Sequence, residues 1–442
     1  MSRFFVLLPL LLACCVGLHL PKSFTLLYLL SGLIAVGSCR QVGGSGFRAV
    51  AAALGRWWPI LLSLLLFSVA YAFGMLAWGF WQWPADCLDL INAVLLPSLL
   101  ALTGMQAASF DRIWSSRMLL AYALGGLLYV LIALALAREP WWAFAQAFTS
   151  TIELPWGSVP VMNVRSVEQN AYSALLLLPL ASLALMESTQ RARRWWGVAS
   201  LVVALLGAHA VWSLNGRLGW LALLLATLPL LWHWLHRLVQ GMTRSTRLAV
   251  AFAGLVAVCL VVWSRLKAAS QVQSVGIWAQ GFCDERMMLF GGVLSRLFEA
   301  PWGGRILRVS FSSCIRSESS LLLAESGGTH QLVHNVLLDV FYAVGLVPLL
   351  FLLTALVPML FLVCRGFIAA WPVWDWQVLL RWGWLSFLVC QWTFQPLLYS
   401  DGLLYYWSFF VLGLLVMEAW RGFSDFPNVA PIIAEVPQSG SR

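Results

Sequence analysis

The sequence predicts an all-α polytopic membrane protein with about 12 transmembrane helices and one long, partly helical outer loop. Three observations lead there. First, 61% of the 442 residues are hydrophobic, 10% are charged and mean hydropathy is +0.84, which leaves too little polar surface to cover a soluble domain. Second, apolar runs of membrane length recur along the chain. A helix of roughly 17 to 25 such residues crosses a hydrocarbon core and satisfies its own backbone hydrogen bonds there. Third, the basic residues alternate from loop to loop, as they do when charge sets orientation in a bilayer.

The twelve runs lie near residues 3–20, 22–38, 58–78, 88–105, 117–137, 171–187, 195–212, 217–235, 247–264, 334–363, 378–395 and 403–420. They group the chain into N-terminal helices (1–137), central helices with Arg-bearing outer loops (138–264), a long outer loop (265–333), C-terminal helices (334–420) and a tail (421–442). The tail is rich in proline and small polar residues and is expected to be disordered. Tryptophans cluster at the run ends, as in Trp57-Trp58, Trp81 with Trp83, Trp141-Trp142 and Trp195-Trp196, where an amphipathic ring sits best.

The net charge of +9 does not point to nucleic acid, because the basic residues are spread between runs rather than gathered in one patch. With a cytoplasmic N-terminus, one set of loops holds Arg3, Arg40, Arg48, Arg56, Arg112, Arg117, Arg191, Arg193, Arg194, Arg237, Arg244, Arg247, Arg365, Arg381, Arg421 and Arg442, sixteen of the 27 bases. The short loops opposite hold only Lys22, Arg138, Arg165 and Arg217. Both termini are therefore predicted inside. The Leu11-Leu12-Ala13-Cys14 stretch imitates a lipoprotein processing site, but keeping it as the first span makes the arginine asymmetry run the whole chain. Cys283 and Cys314 share the long outer loop and could pair in an oxidising compartment.

The outer face collects the polar material. It holds Arg165, Gln169 and Asn170 before one run, Ser213-Leu214-Asn215-Gly216-Arg217 between two others, and Asp284-Glu285-Arg286 with Pro301-Trp302-Gly303-Gly304 in the long loop. That loop ends at His330 and at the pair His334-Asn335, where the next apolar run begins. An imidazole at a membrane entrance can carry a proton near neutral pH. Arginines on the same face suit a phosphate or pyrophosphate, which a guanidinium grips with two parallel bonds. His330 and His334 have i, i+4 spacing, but the glutamate of a HExxH zinc site is missing and no third ligand follows, so no metal is expected. Asp339 stands five positions after His334, about 140° round a continuous helix, and is left out of the catalytic set on that ground. Few acids fall within the runs, which disfavours a proton-coupled transporter.

In these residues the chain resembles the bacterial O-antigen ligases and their relatives, the O-antigen polymerases and O-linked protein oligosaccharyltransferases. The ligase pattern is His, then Asn, Ser or Gln, nine residues, Gly, two residues, and Gly, Thr or Tyr. His334, Asn335 and Gly345 fit it, and Pro348 departs at the last position. Ser213 to Trp220 is similar to the family's Ser-x-x-x-Arg-x-x-Trp element, and Arg286 with Pro301-Trp302-Gly303-Gly304 is similar to its arginine and Pro-x-Gly element. The resemblance covers about 163–360. It implies an inverting, metal- and nucleotide-independent glycosyltransferase in the bacterial inner membrane, multi-pass, with both termini cytoplasmic. The donor would be a glycan on undecaprenyl pyrophosphate and the acceptor a hydroxyl of lipid A-core at the periplasmic face, with no cofactor.

In that scheme His334, Arg217 and Arg286 are catalytic, as base and diphosphate clamp. Arg165, Gln169, Asn170, Asn335 and His330 bind substrate, with Asn335 placing a sugar or the loop itself. The expected partners are the lipid-linked donor, the acceptor and membrane lipids, and no nucleic acid. The short tail leads us to expect no additional domain of the kind common in general protein oligosaccharyltransferases, which favours the ligase. A polymerase taking a growing glycan as acceptor, or a pilin glycosyltransferase, would use similar parts. A lipid or drug exporter would need the outer cluster to be a gate.

Overall fold

The computed structural model describes residues 3–18, 20, 23–41, 46–110, 112–136, 151–154, 157–160, 301–303, 335–370, 376–394 and 402–421, with scattered positions between 202 and 228. These residues form helices α1 (Arg3–Gly17), α2 (Ser23–Gln41), α3 (Gly46–Ala77), α4 (Cys87–Phe110) and α5 (Arg112–Leu136). After a hairpin, β1 (Thr151–Leu154) and β2 (Gly157–Pro160), come α6 (Val336–Val344), α7 (Leu346–Ala370), α8 (Trp376–Phe394) and α9 (Gly402–Trp420). Four of the helices are long and apolar enough to cross a membrane, over Trp57–Ala77, Cys87–Ala108, Leu346–Ala370 and Leu403–Trp420, and two shorter ones are apolar over Leu7–Gly17 and Ser23–Gly37. The chain is a helical multi-pass membrane protein.

Eight of the twelve predicted runs coincide with these helices, and those at 171–187, 195–212, 217–235 and 247–264 lie almost wholly outside the described residues. Three differences have physical causes. Helix α3 starts twelve residues before the predicted run, because Ala49, Ala51, Ala52 and Ala53 propagate a helix that hydropathy does not register. Between α5 and the run expected from residue 171, where no strand was expected, lies an antiparallel hairpin with Leu154 opposite Gly157 and Ile152 opposite Val159. There the β-branched residues favour extended backbone, and Pro160 sits at the strand end where no donor is needed. The third difference, a break at Gly345, shapes the site described below.

Lipid is as apolar as leucine, so helices in a bilayer associate through close packing rather than hydrophobic exclusion. The pairing of α4 with α9 illustrates it. A Cβ on Gly104 would strike the Phe410 backbone and one on Gly413 would strike that of Ala101, so both glycines let the two backbones approach. Beside them Tyr122 of α5 stacks on Trp407 of α9 with centroids 4.4 Å apart and meets Trp384 of α8 edge-on at 5.7 Å. These buried rings tie α5, α8 and α9 into the centre of the bundle.

Candidate functional site at one end of the bundle

The predicted run 334–363 is not one helix. Gly345 takes φ 95° and ψ −170°, a conformation open essentially to glycine alone, and it separates nine-residue α6 from membrane-length α7. The Leu346 N–H donates to the carbonyl of Pro301 at 2.7 Å. A Cβ on Gly345 would lie 2.5 Å from the Trp302 carbonyl carbon, and one on Gly303 (φ 73°) would collide with the Gly345 backbone. Two chain segments 42 residues apart (345 less 303) thus interlock backbone to backbone, with the Trp302 side chain 70% exposed over the junction.

At its other end α6 is held by Asn335. Its backbone is extended (φ −149°, ψ 122°), and its side-chain oxygen accepts from the N–H groups of Leu337 at 3.0 Å and Leu338 at 3.1 Å, as a good N-cap does. The Nδ2 group donates to the carbonyl of Thr393, one residue from the end of α8, at 3.1 Å. The carboxamide therefore works at both ends as a tie between α6 and α8. Near Gly345, Val344 packs on Gly74, three residues from the end of α3, where a Cβ would come 2.8 Å from that of Val344. Nine residues rise about 13 Å, less than half a hydrocarbon core. So α6 bridges the ends of α8 and α3 on one face of the bundle, burying Val336, Asp339, Val340, Phe341, Ala343 and Val344.

This geometry alters how three sequence positions are read. Asn335 opens a short bridging helix rather than a transmembrane one. Pro348 falls in the first turn of α7, where its missing N–H goes unneeded. Asp339 was set aside because a continuous helix from residue 334 would point it away, but the helix begins only at Val336, so that rotation does not apply. Asp339 is 1% exposed on the bundle side of α6, and its N–H donates to the Asn335 carbonyl at 2.7 Å. His334, His330, Arg165, Gln169, Asn170, Arg217 and Arg286 lie outside the described residues, as do Cys283 and Cys314.

A second polar cluster lies toward the opposite end. Arg381 of α8, counted above among the loop arginines, is 0% exposed, and Glu418 of α9 is 8% exposed. The guanidinium forks onto the carboxylate, Nε to Oε2 and Nη2 to Oε1 at 2.6 Å. It also donates to Ser116 Oγ and Ser115 Oγ, both at 3.0 Å, and to the Gln377 carbonyl at 2.8 Å. Its donors are spent on α5, α8 and α9, the pattern of a buried structural tie. Sequence reading missed it because the arginine and its carboxylate sit 37 residues apart on separate helices.

Comparison with protein-family models and with curated proteins finds no match.

Proposed function

We propose that this protein is a lipid-linked-oligosaccharide glycosyltransferase of the O-antigen ligase type. It moves a glycan from undecaprenyl pyrophosphate to a hydroxyl of lipid A-core at the periplasmic face of the inner membrane, with both termini cytoplasmic. The observation that carries this reading is the interlock of Pro301-Trp302-Gly303 with Gly345. Two elements on which the family resemblance rests meet at one end of the bundle, and the same nine-residue helix carries Asn335 at its start.

In the reaction, His334 takes the proton of the acceptor hydroxyl as its oxygen attacks the anomeric carbon. The bond from that carbon to the pyrophosphate oxygen breaks, undecaprenyl pyrophosphate leaves with the electron pair, and the anomeric configuration inverts. Arg217 and Arg286 neutralise the charge growing on the leaving diphosphate. Arg165, Gln169, Asn170 and His330 hold the glycan and its phosphates. Asn335 fixes the chain next to the base, since both ends of its carboxamide bind backbone. The α6 N-terminus is not itself the phosphate site, because Asn335 occupies two of its amides.

Purified protein supplied with lipid-linked glycan and lipid A-core should consume the donor and release undecaprenyl pyrophosphate. An exporter would leave the donor intact, and that outcome would sink the reading. Deletion of the gene then sorts acceptors. Polymer stranded on its carrier with uncapped core marks a ligase, core bearing a single repeat marks a polymerase, and normal lipopolysaccharide with unmodified pilin marks a protein transferase.

A further inference from the structure

Trp302 is 70% exposed, yet its backbone is among the most tightly held in the described residues. The tripeptide that carries it is fastened on both sides. Pro301 gives its carbonyl to the Leu346 N–H at 2.7 Å, and Gly303, with φ 73°, lies so close to Gly345 that a Cβ would strike the Gly345 nitrogen. Gly345, with φ 95°, has the Trp302 carbonyl where its own Cβ would be. Two glycines at positive φ, distant in the chain, thus fix one short loop. The ring that this loop presents is left open. Among the described residues, no other ring stacks on it and no acceptor takes its N–H.

The bland account is a lipid-facing anchor, since tryptophans favour the membrane interface. That account suits Trp58, which is 56% exposed where the α3 span begins, and Trp83, which is 68% exposed in the link from α3 to α4. An anchor needs only a span end to stand on. It gives no reason for a backbone interlock beneath the ring, or for glycine at the two points where the segments touch. A rigid aromatic side chain on a fixed backbone loses little freedom when a ligand settles on it, which is the requirement for a binding platform.

We propose that Trp302 is a stacking platform for a sugar ring of a substrate glycan, an assignment that rests on the glycosyl-transfer reading. A pyranose has a face of C–H groups and a rim of hydroxyls. The C–H face lies on the electron-rich face of the indole, and the indole N–H donates to a hydroxyl at the rim. Helix α6 sets where along the glycan this happens. Asn335, beside the proposed base, opens α6, and Gly345, against Trp302, ends it, so the two are separated by a rise of about 13 Å. That is wider than one sugar, so the platform takes a unit away from the reacting bond. Position 302 is the open one in the Pro-x-Gly element. Tryptophan there is this chain's own feature, and it selects which glycan is held.

The test uses the full chain in nanodiscs and two lipid-free probes, with binding measured by titration calorimetry. One probe is the glycan freed by mild acid from the cell's undecaprenyl pyrophosphate pool, and the other is the core oligosaccharide freed from lipid A. The wild type should bind one of them, and which one it binds tells whether the platform serves donor or acceptor. Trp302→Leu, which keeps an apolar anchor but removes the aromatic face, should weaken that binding by about fivefold or more, and Trp302→Tyr should stay within about twofold of wild type. Equal binding by Trp302→Leu would leave the ring a lipid anchor and overturn the platform, as would a wild type that binds neither probe. If Trp302→Leu fails to fold, fluorine NMR of fluorotryptophan-labelled wild type decides. The resonance missing from Trp302→Tyr belongs to Trp302 and should shift when the probe is added, and a resonance that stays in place would overturn the platform. Donor consumption with equal binding by Trp302→Leu would sink the platform and leave the transfer reading, whereas Trp302-dependent binding without donor consumption would do the reverse.

Discussion

Arg381 and Glu418 form the most consequential side-chain pair in the described bundle. Charges taken out of water are tolerated only in company, so removing one partner leaves the other stranded. Glu418→Ala should destabilise the protein by about 3–5 kcal/mol, read as a fall in thermal midpoint in detergent. Replacing both as Arg381→Met with Glu418→Leu should recover most of the loss. A single substitution without effect would show that the pair is not the tie described. At the other end, Asp339 is buried one turn into α6, close along the chain to the proposed base. A base must be neutral to act, so transfer should decline as pH falls through the His334 pKa, ordinarily about 6.5. A nearby carboxylate raises that pKa. Asp339→Asn should therefore move the acid limb of the rate profile to lower pH, and an unmoved or upward limb would remove Asp339 from the site.

Among the elements, α6 and its junction with α7 carry the argument. Gly345→Ala meets two obstacles, the positive φ and the Trp302 carbonyl. Strain of this kind costs about 1–3 kcal/mol. The variant should keep its helical circular dichroism while Pro301–Gly303 separates from α7 and transfer falls by tenfold or more. Full activity would mean the interlock is dispensable. Hydropathy found the helices because an apolar run and a membrane span have the same length. It could not find the break, because Val336 to Leu350 is apolar apart from Asp339 and reads as one stretch. Only Gly345 marked the spot, and the need for it arises from a loop segment far along the chain. Asn335 was legible as a polar residue before an apolar run, but its bond to Thr393 depends on tertiary structure.

For the molecule as a whole, the described bases gather at the end opposite α6. Arg117, Arg365 and Arg421 all lie there, toward the start of α5 and the ends of α7 and α9. Under the positive-inside rule, that distribution matches the proposed orientation, in which the α6 face is turned to the periplasm. In a cysteine-free background, a cysteine at Trp83 should react with an impermeant maleimide in spheroplasts, whereas one at Arg117 should react only after permeabilisation. The reverse pattern would invert the topology. Charge counting yields an expected orientation that the labelling tests, whereas Arg381, counted the same way, proved to be interior. A tally of charges sees loops and not partners.

Proton abstraction by His334 is tested by His334→Ala, purified in parallel with the wild type and supplied with undecaprenyl-pyrophosphate glycan and lipid A-core. With thermal midpoint and donor binding unchanged, transfer should fall at least a hundredfold, within the range that proton transfer contributes to catalysis. Near wild-type transfer by a folded His334→Ala protein would show that His334 is not the base.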